Sequence, residues 1–196
     1  MQHKLSPLIL RFNPVKMMTT DAIETKRLRI IPLDYDALKK YLYQFELLEK
    51  ELGLNASNRL IKEEIFEVIT NNILPHVKKQ KLYYIYHTLW VMIDKIKNVL
   101  VGDLLFKGHP NIYGQIEIGY GIYDTASNQG YMTEAVGGMI EWAKDIKEID
   151  YITAETTQNN LPSVRVLEKN GFKKKHQSHK MFYWQVKTVR CPQEVL

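Results

Sequence analysis

Between Gln115 and Glu134 the chain switches from one repeat to another, and that switch limits what it can fold into. Gln115, Glu117 and Gly119 alternate with Ile116, Ile118 and Tyr120, the period of a strand whose two faces differ. Gly119 and Gly121 interrupt the pattern, which suits either a bulge or a place where another chain or a ligand lies against the backbone. A polar loop follows, ending Ser127-Asn128-Gln129-Gly130. From Thr133 the repeat is helical: Ala135, Met139, Ile140 and Ala143 share one stripe, with Glu134, Glu141, Lys144 and Lys147 off it.

A strand, a polar loop with a glycine and a helix start together present free amides to an anion. The first helical N–H groups have no internal partner, and the helix dipole adds partial positive charge there. Gly130 lets the backbone come close to a phosphate without a side chain in the way. The competing reading is an ordinary strand-to-helix connection. Glu134 favours it, because an acid in the first turn satisfies the dipole by itself.

A second stretch adds to the first. Gln158-Asn159-Asn160-Leu161-Pro162-Ser163-Val164-Arg165-Val166-Leu167-Glu168-Lys169-Asn170-Gly171-Phe172 reads as a strand end and a short helix. Asn160 is placed to cap it, Pro162 is tolerated in its first turn, and Gly171 sits where a left-handed terminal residue belongs. In this order and spacing, Glu117-Ile118-Gly119-Tyr120, Gly130-Tyr131-Met132-Thr133-Glu134-Ala135, Asn160-Leu161-Pro162-Ser163 and Glu168-Lys169-Asn170-Gly171-Phe172 resemble the GCN5-related N-acetyltransferase (GNAT) superfamily. The resemblance runs from about Ile23 to Val186 and is greatest to its RimJ/RimL-like branch, the ribosomal-protein N-terminal acetyltransferases and their small-molecule relatives.

That resemblance implies one α/β domain with a mixed, largely antiparallel sheet, splayed between its central strands and flanked by helices. It implies acyl-CoA-dependent N-acetylation, acetyl-CoA giving its acetyl group to a primary amine by direct attack, with no metal. The pantetheine arm then lies beside Gly119, Tyr120, Gly121 and Ile122, with Tyr151 to Thr156 as the other wall. Ser127, Asn128, Gln129, Gly130, Tyr131, Met132 and Thr133 surround the pyrophosphate. A backbone N–H of the first strand polarises the thioester carbonyl. There are two departures from the family pattern. The loop usually opens with Gln or Arg and closes with Gly or Ala, whereas here those positions hold Ser127 and Met132. Ser127 keeps a donor for the phosphates, but the arginine-type charge is missing there. Many members also carry a tyrosine acid where this chain has Leu167.

Three residues are candidates for the chemistry. Glu117 stands on the cleft strand and is the candidate general base; the alternative is an ion pair with a lysine or arginine of a neighbouring strand. Ser163 either serves the departing thiolate or caps its helix. Asn160 either contacts the pantetheine amides or likewise caps. The acceptor side is expected to be walled by Asp34 to Lys79 and by a hairpin around His176 to Met181. Glu46, Glu49, Glu51, Glu63, Glu64 and Glu67 in the first of these attract a cation or merely form solvated helix faces. A peptide N-terminus or small amine is expected over an internal lysine, because an α-amine pKa of about 8 leaves a useful neutral fraction. The rival readings are an aminoglycoside or polyamine acetyltransferase, and a catalytically silent acyl-CoA-binding regulatory module.

Along the rest of the chain, Leu28, Ile30 and Ile31 read as a strand stopped by Pro32. Asp34 caps a helix bearing Leu38, Tyr41 and Leu42. Asn58 is placed to cap another, with Ile61, Ile65, Val68 and Ile69 on its buried side. Tyr84 and Tyr86 lead into a strand through Ile93, and Val99 to Phe106 forms the next after a hairpin at Asp94 to Asn98. Residues 1–20, with Pro7 and Pro14, read as an extension, and 21–190 as the acyltransferase domain.

The 196 residues suit one domain, and the formal charge of +5 is spread along the chain, so no direct nucleic-acid binding is expected. That field suits the phosphates of coenzyme A. No apolar run approaches the ~18 residues of a bilayer span, and the single Cys191 fits a reducing compartment; the expected location is cytoplasmic, away from membranes. His176 and His179 are the only close histidine pair and lack a third ligand. The oligomeric state stays open, a homodimer included.

Overall fold

The computed structural model describes residues 22–188 other than 58, 60 and 62. The expected N-terminal extension, the Asn58 cap and Cys191 lie outside the described residues. The chain opens with strands β1 (Ile23–Glu24) and β2 (Leu28–Pro32) and helices α1 (Tyr35–Tyr43) and α2 (Phe45–Glu51). A second helical stretch follows as α3 (Glu63–Val68) and α4 (Leu74–Lys79), joined by a π turn at Ile69–Ile73. Strands β3 (Leu89–Asp94), β4 (Val99–Phe106) and β5 (Gln115–Ile122) precede helix α5 (Tyr131–Lys144). Then come β6 (Tyr151–Thr157), α6 (Leu161–Lys169), β7 (Lys173–Gln177) and β8 (Met181–Lys187).

The strands form one eight-stranded sheet in the order β1-β2-β3-β4-β5-β6-β8-β7. Every pairing is antiparallel except β5 with β6. β3 is buried along its whole length, which is why it reads as an unbroken apolar run rather than an alternation. Its faces divide the core. Trp90 and Met92 join the cluster under α5 and α6, while Leu89, Val91 and Ile93 join the one under α1, α2 and the π turn. Trp90 Nε1 also donates to Ile85 O at 2.9 Å, so this buried indole leaves no polar group unpaired. Its truncation to alanine would cost about 3–5 kcal/mol.

One irregularity matters for the site. Met92 pairs with Gly102 but Ile93 with Leu100, so Val101 is the extra residue of a bulge in β4. Beyond it, Leu104 and Phe106 face α5, while Leu105 joins the opposite cluster, and Asp103 shares the Leu105 face by alternation. The glycines of β5 carry no bulge, since the β4–β5 register runs unshifted from Gly102↔Ile122 to Phe106↔Ile118. Close backbone approach explains that join instead. A Cβ on Gly102 would lie 2.5 Å from Gly121 O.

Two local expectations need correction. Tyr84 and Tyr86 lie in a single 3₁₀ turn, and strand structure begins only at Leu89. Ile85 and Tyr86 bury themselves from that turn, which an alternating pattern imitates over so few residues. Of the stripe expected for the second helical stretch, Ile69 is buried and Ile61 packs against the same cluster, whereas Ile65 and Val68 are 46% and 45% exposed and Ile73 and Val77 complete the buried face. The π turn before Pro75 rotates the face, so a stripe projected at regular helical period misses it. The Asp34 cap forms as expected, its carboxylate accepting from Ala37 N–H at 2.8 Å.

Candidate active site

β5 and β6 pair only from Gln115↔Tyr151 to Glu117↔Thr153, yet both strands continue, to Ile122 and Thr157. A cavity of about 410 Å³ opens beyond the last pair, bounded by the end of β5, the head of α5 and the first turns of α6. Of the expected coenzyme residues, Tyr120, Gly121, Ile122, Asn128 and Gly130 line it, as do Tyr131, Met132, Thr133 and Asn160. Gly130 is the N-cap of α5, with φ of 78° and no side-chain cap. The amides of Tyr131, Met132 and Thr133 precede the first intrahelical bond, from Glu134 N–H to Gly130 O at 3.2 Å. These donors are therefore available to an anion. Tyr131 and Met132 are themselves buried, so they offer the cavity mainly backbone.

Gly119, Ser127 and Gln129 do not line this cavity. Gly119 lies across from Leu105 on the opposite face of the sheet. Ser127 Oγ, expected to donate to phosphate, donates to Tyr123 O at 3.4 Å. The Gln129 side chain bonds to Thr125 O and accepts from Lys97.

Positive charge reaches the loop from elsewhere. Arg27, in the turn between β1 and β2, donates to Gln129 O at 2.9 Å and stands 4.5 Å over the Tyr131 ring. Its Nη2 is 3.5 Å from where a Gly130 Cβ would sit. Arg165 and Lys169 of α6 line the same cavity. Glu134 does not compete for the helix head. It turns to the β1–β2 corner, accepting from Thr25 Oγ1, Arg27 N and Arg27 Nε at 2.6 Å each. Burial pushes its pKa up, but those donors outweigh burial and hold it below the usual range.

In the wall of this first cavity, Tyr120 Oη lies 2.8 Å from Ser163 Oγ. Asn160 caps α6 by accepting from Ser163 N–H at 3.2 Å, while its residue still borders the cavity. The capping reading of Asn160 is therefore the contact present. Burial raises the Tyr120 pKa, so the phenol keeps its proton at neutral pH. Leu167 is fully buried and cannot serve the cleft.

A second cavity, of about 420 Å³, lies on the other face of β5. Tyr41, Ser57 and Arg59 wall it on one side and Asp103 and Tyr123 on the other, and it shares Gly121 and Ile122 with the first cavity. Tyr41 Oη donates to Asp103 Oδ2 at 2.7 Å and lies 3.4 Å from Tyr123 Oη. The Arg59 guanidinium sits 3.7 Å over the Tyr41 ring and 5.4 Å over that of Tyr123. Desolvation by these walls raises the Asp103 pKa, against the lowering by the Tyr41 hydrogen bond and Arg59.

Comparison with known proteins follows the same lines. The family described as "Acetyltransferase (GNAT) domain" matches residues 27–173. The chain belongs to the GNAT acetyltransferase family. It is 31% identical over 164 residues to the uncharacterised N-acetyltransferase YjdG of Bacillus subtilis, covering 83% of this chain and 95% of that protein. Its fold is similar to that of a ribosomal-protein-S5-alanine acetyltransferase from Vibrio fischeri, with a TM-score of 0.62 at 16% identity over 85% and 96% of the two chains. It is also similar to RimL, a ribosomal L7/L12 alpha-N-protein acetyltransferase solved with coenzyme A, with a TM-score of 0.60 at 16% identity over 85% and 98%. The protein is an N-acetyltransferase of the GNAT fold.

Within this GNAT domain Glu117 lines neither cavity. Ile116 and Ile118 point to the α5 face, and Glu117 forms an ion pair with Lys107, the residue after β4. The ion-pair alternative for this residue is therefore the contact present. The acids lining the second cavity are Asp103 and Asp124 rather than a helix glutamate. Glu49 is buried and accepts from Ser57 N and Oγ, and Glu51 pairs with Lys40. Among the described residues, none of the β7–β8 hairpin lines either cavity. The described residues also contain no helix long and apolar enough to cross a membrane.

Proposed function

We propose that this GNAT enzyme transfers the acetyl group of acetyl-CoA to the α-amine of a peptide N-terminus or of a small amino compound. One observation carries the reading: a donor cavity and a second cavity meet at Gly121 and Ile122, where β5 has already parted from β6. The donor cavity suits coenzyme A. The amides after Gly130 and the side chains of Arg27, Arg165 and Lys169 would hold its phosphates, and the unpaired edge of β5 would meet its pantetheine amides. Bound there, the thioester supplies an activated acetyl group. The protein aligns it with the amine across Gly121, polarises the carbonyl through a β5 backbone N–H, and excludes water with the walls of both cavities.

The second cavity supports the α-amine preference. It places the Asp103 carboxylate near the Arg59 guanidinium, with Asp124 also on its wall. An N-terminal ammonium with a carbonyl close by complements that pair better than an alkyl chain bearing further cations does. A thiol-release assay over peptides, polyamines and amine antibiotics tests the reading. The expected result is faster coenzyme A release with a free-N-terminus peptide than with an N-blocked, lysine-containing one. Faster turnover on the blocked lysine peptide rejects the acceptor class. Coenzyme A binding with no turnover on any amine rejects catalysis in favour of a silent binding module.

A further inference from the structure

We propose that Asp103, rather than Glu117, is the carboxylate that receives the acceptor's ammonium group and takes up its proton. The inference rests on the N-acetyltransferase reading and assigns that reaction its base.

Position is the first argument. Asp103 pairs in register with Gly121, the residue shared by the donor and acceptor cavities. Gly121 has no side chain to cover it, and a Cβ placed there would face Asp103 Oδ1 at 3.7 Å. Glu117 lies four residues back along β5, about 13 Å away at strand rise. It stands where β5 is still bonded to β6, beside Lys107.

The backbone provides an independent argument. The bulge at Val101 resets the alternation of β4, and Asp103 follows directly on the reset at Gly102. Bulges recur beside active sites because they re-aim a side chain. A strand built only for the core would have no use for an acid in this stretch, between Leu100 and Leu105 of the apolar cluster.

The surroundings fit proton transfer. Groups facing Asp103 are Tyr41 from α1, Arg59 from the segment after α2, and Tyr123 from the loop after β5, with the Glu49 charge reaching Tyr123 from α2. Tyr41 fixes Oδ2 as an acceptor, which directs Oδ1 to the cavity. Desolvation lifts the acid's pKa toward that of an amine, which shrinks the gap the proton must cross.

The step balances as follows. One ammonium proton passes to Asp103 Oδ1, freeing the nitrogen lone pair. The C–N bond forms at the thioester carbonyl carbon and the C–S bond breaks, with its electron pair leaving on sulfur. Sulfur takes a proton from Ser163 Oγ, which Tyr120 Oη replaces and solvent restores. The second amine proton and the one held by Asp103 go to water, so one proton is released net.

The test compares D103N, E117Q and Y41F in steady-state kinetics across pH, with coenzyme A affinity measured by calorimetry. D103N should lower kcat about 10²–10⁴-fold with coenzyme A binding retained, at least tenfold more than E117Q does. Y41F removes a hydrogen bond that stabilises the carboxylate, so the acid limb of its pH–rate profile should move to higher pH. This variant serves even if D103N fails to fold. A larger loss in E117Q than in D103N, or a Y41F profile that does not move, overturns the assignment. A wild-type protein that binds coenzyme A but turns over no amine overturns the transferase reading itself, and this assignment with it.

Discussion

Tyr120 on β5 and Ser163 on α6 share a 2.8 Å hydrogen bond across the mouth of the gap between the parted strands. In the proposed reaction the pair would serve as the hydroxyl relay that the buried Leu167 cannot offer. Substituting either residue should reduce kcat about tenfold, below the usual 10²–10⁴-fold span because a thiolate is already a fair leaving group. The double variant S163A/Y120F should be little worse than either single one, since the two act in series. Single-turnover rates decide this. Multiplying losses would mean that they act separately.

Gly130 holds a left-handed φ of 78° at the head of α5. A β-branched residue there is strained, and its side chain would project toward the anion path and Arg27. Gly130→Val should weaken coenzyme A binding at least tenfold by calorimetry and lower the melting temperature. Unchanged affinity would remove the α5 amides from the phosphate site.

Gly102 has no room for a methyl group, since the nearest atom to its Cβ position is Gly121 O at 2.5 Å, followed by Ile122 Cα at 3.2 Å. Both are backbone, so the strand itself must shift. Gly102→Ala should destabilise the fold by about 1–3 kcal/mol and raise KM for both substrates, because the displaced segment borders both cavities. Chemical denaturation and two-substrate kinetics measure the two effects. A stable variant with altered KM for one substrate alone would contradict the shared wall.

His87 gives the fold an acid-sensitive point. Its Nε2 is buried without a hydrogen-bond partner among the described residues, and burial, followed by nearby His109 and His76, lowers its pKa. The unfolded chain binds this proton at about pH 6.5 while the folded chain resists it. Stability from neutral His87 is therefore full above about pH 6.5 and declines as pH falls from there through the lower folded value. His87→Gln should flatten the dependence of denaturation midpoint on pH across that window. An equally steep slope in the variant would place the proton uptake elsewhere.

The parts of the site that were legible in sequence are those made by neighbours in the chain. Gly171 announces a left-handed terminus, Gly130 a loop-to-helix join and Asn160 a cap, because each acts within a few residues of itself. Asp103 was hidden by a bulge. Strict alternation groups it with Val101, whereas the inserted residue separates their faces. Arg27 was hidden by distance, since it meets Gln129 and Glu134 only after β1 and β2 dock beside α5. No local pattern encodes either meeting.

The short ladder between β5 and β6 has a consequence for the life of the protein as well as its chemistry. Direct strand pairing joins the two halves of the sheet only from Gln115↔Tyr151 to Glu117↔Thr153. A coenzyme arm held in the gap as proposed would bridge them as an added brace, and a ligand that binds only the folded chain stabilises it by about 2.7 kcal/mol at a hundredfold excess over Kd. Abundance of the enzyme would then follow supply of its own donor. A cell short of acetyl-CoA would hold a larger share of unfolded, protease-sensitive chains, and so retire the enzyme when it has nothing to transfer.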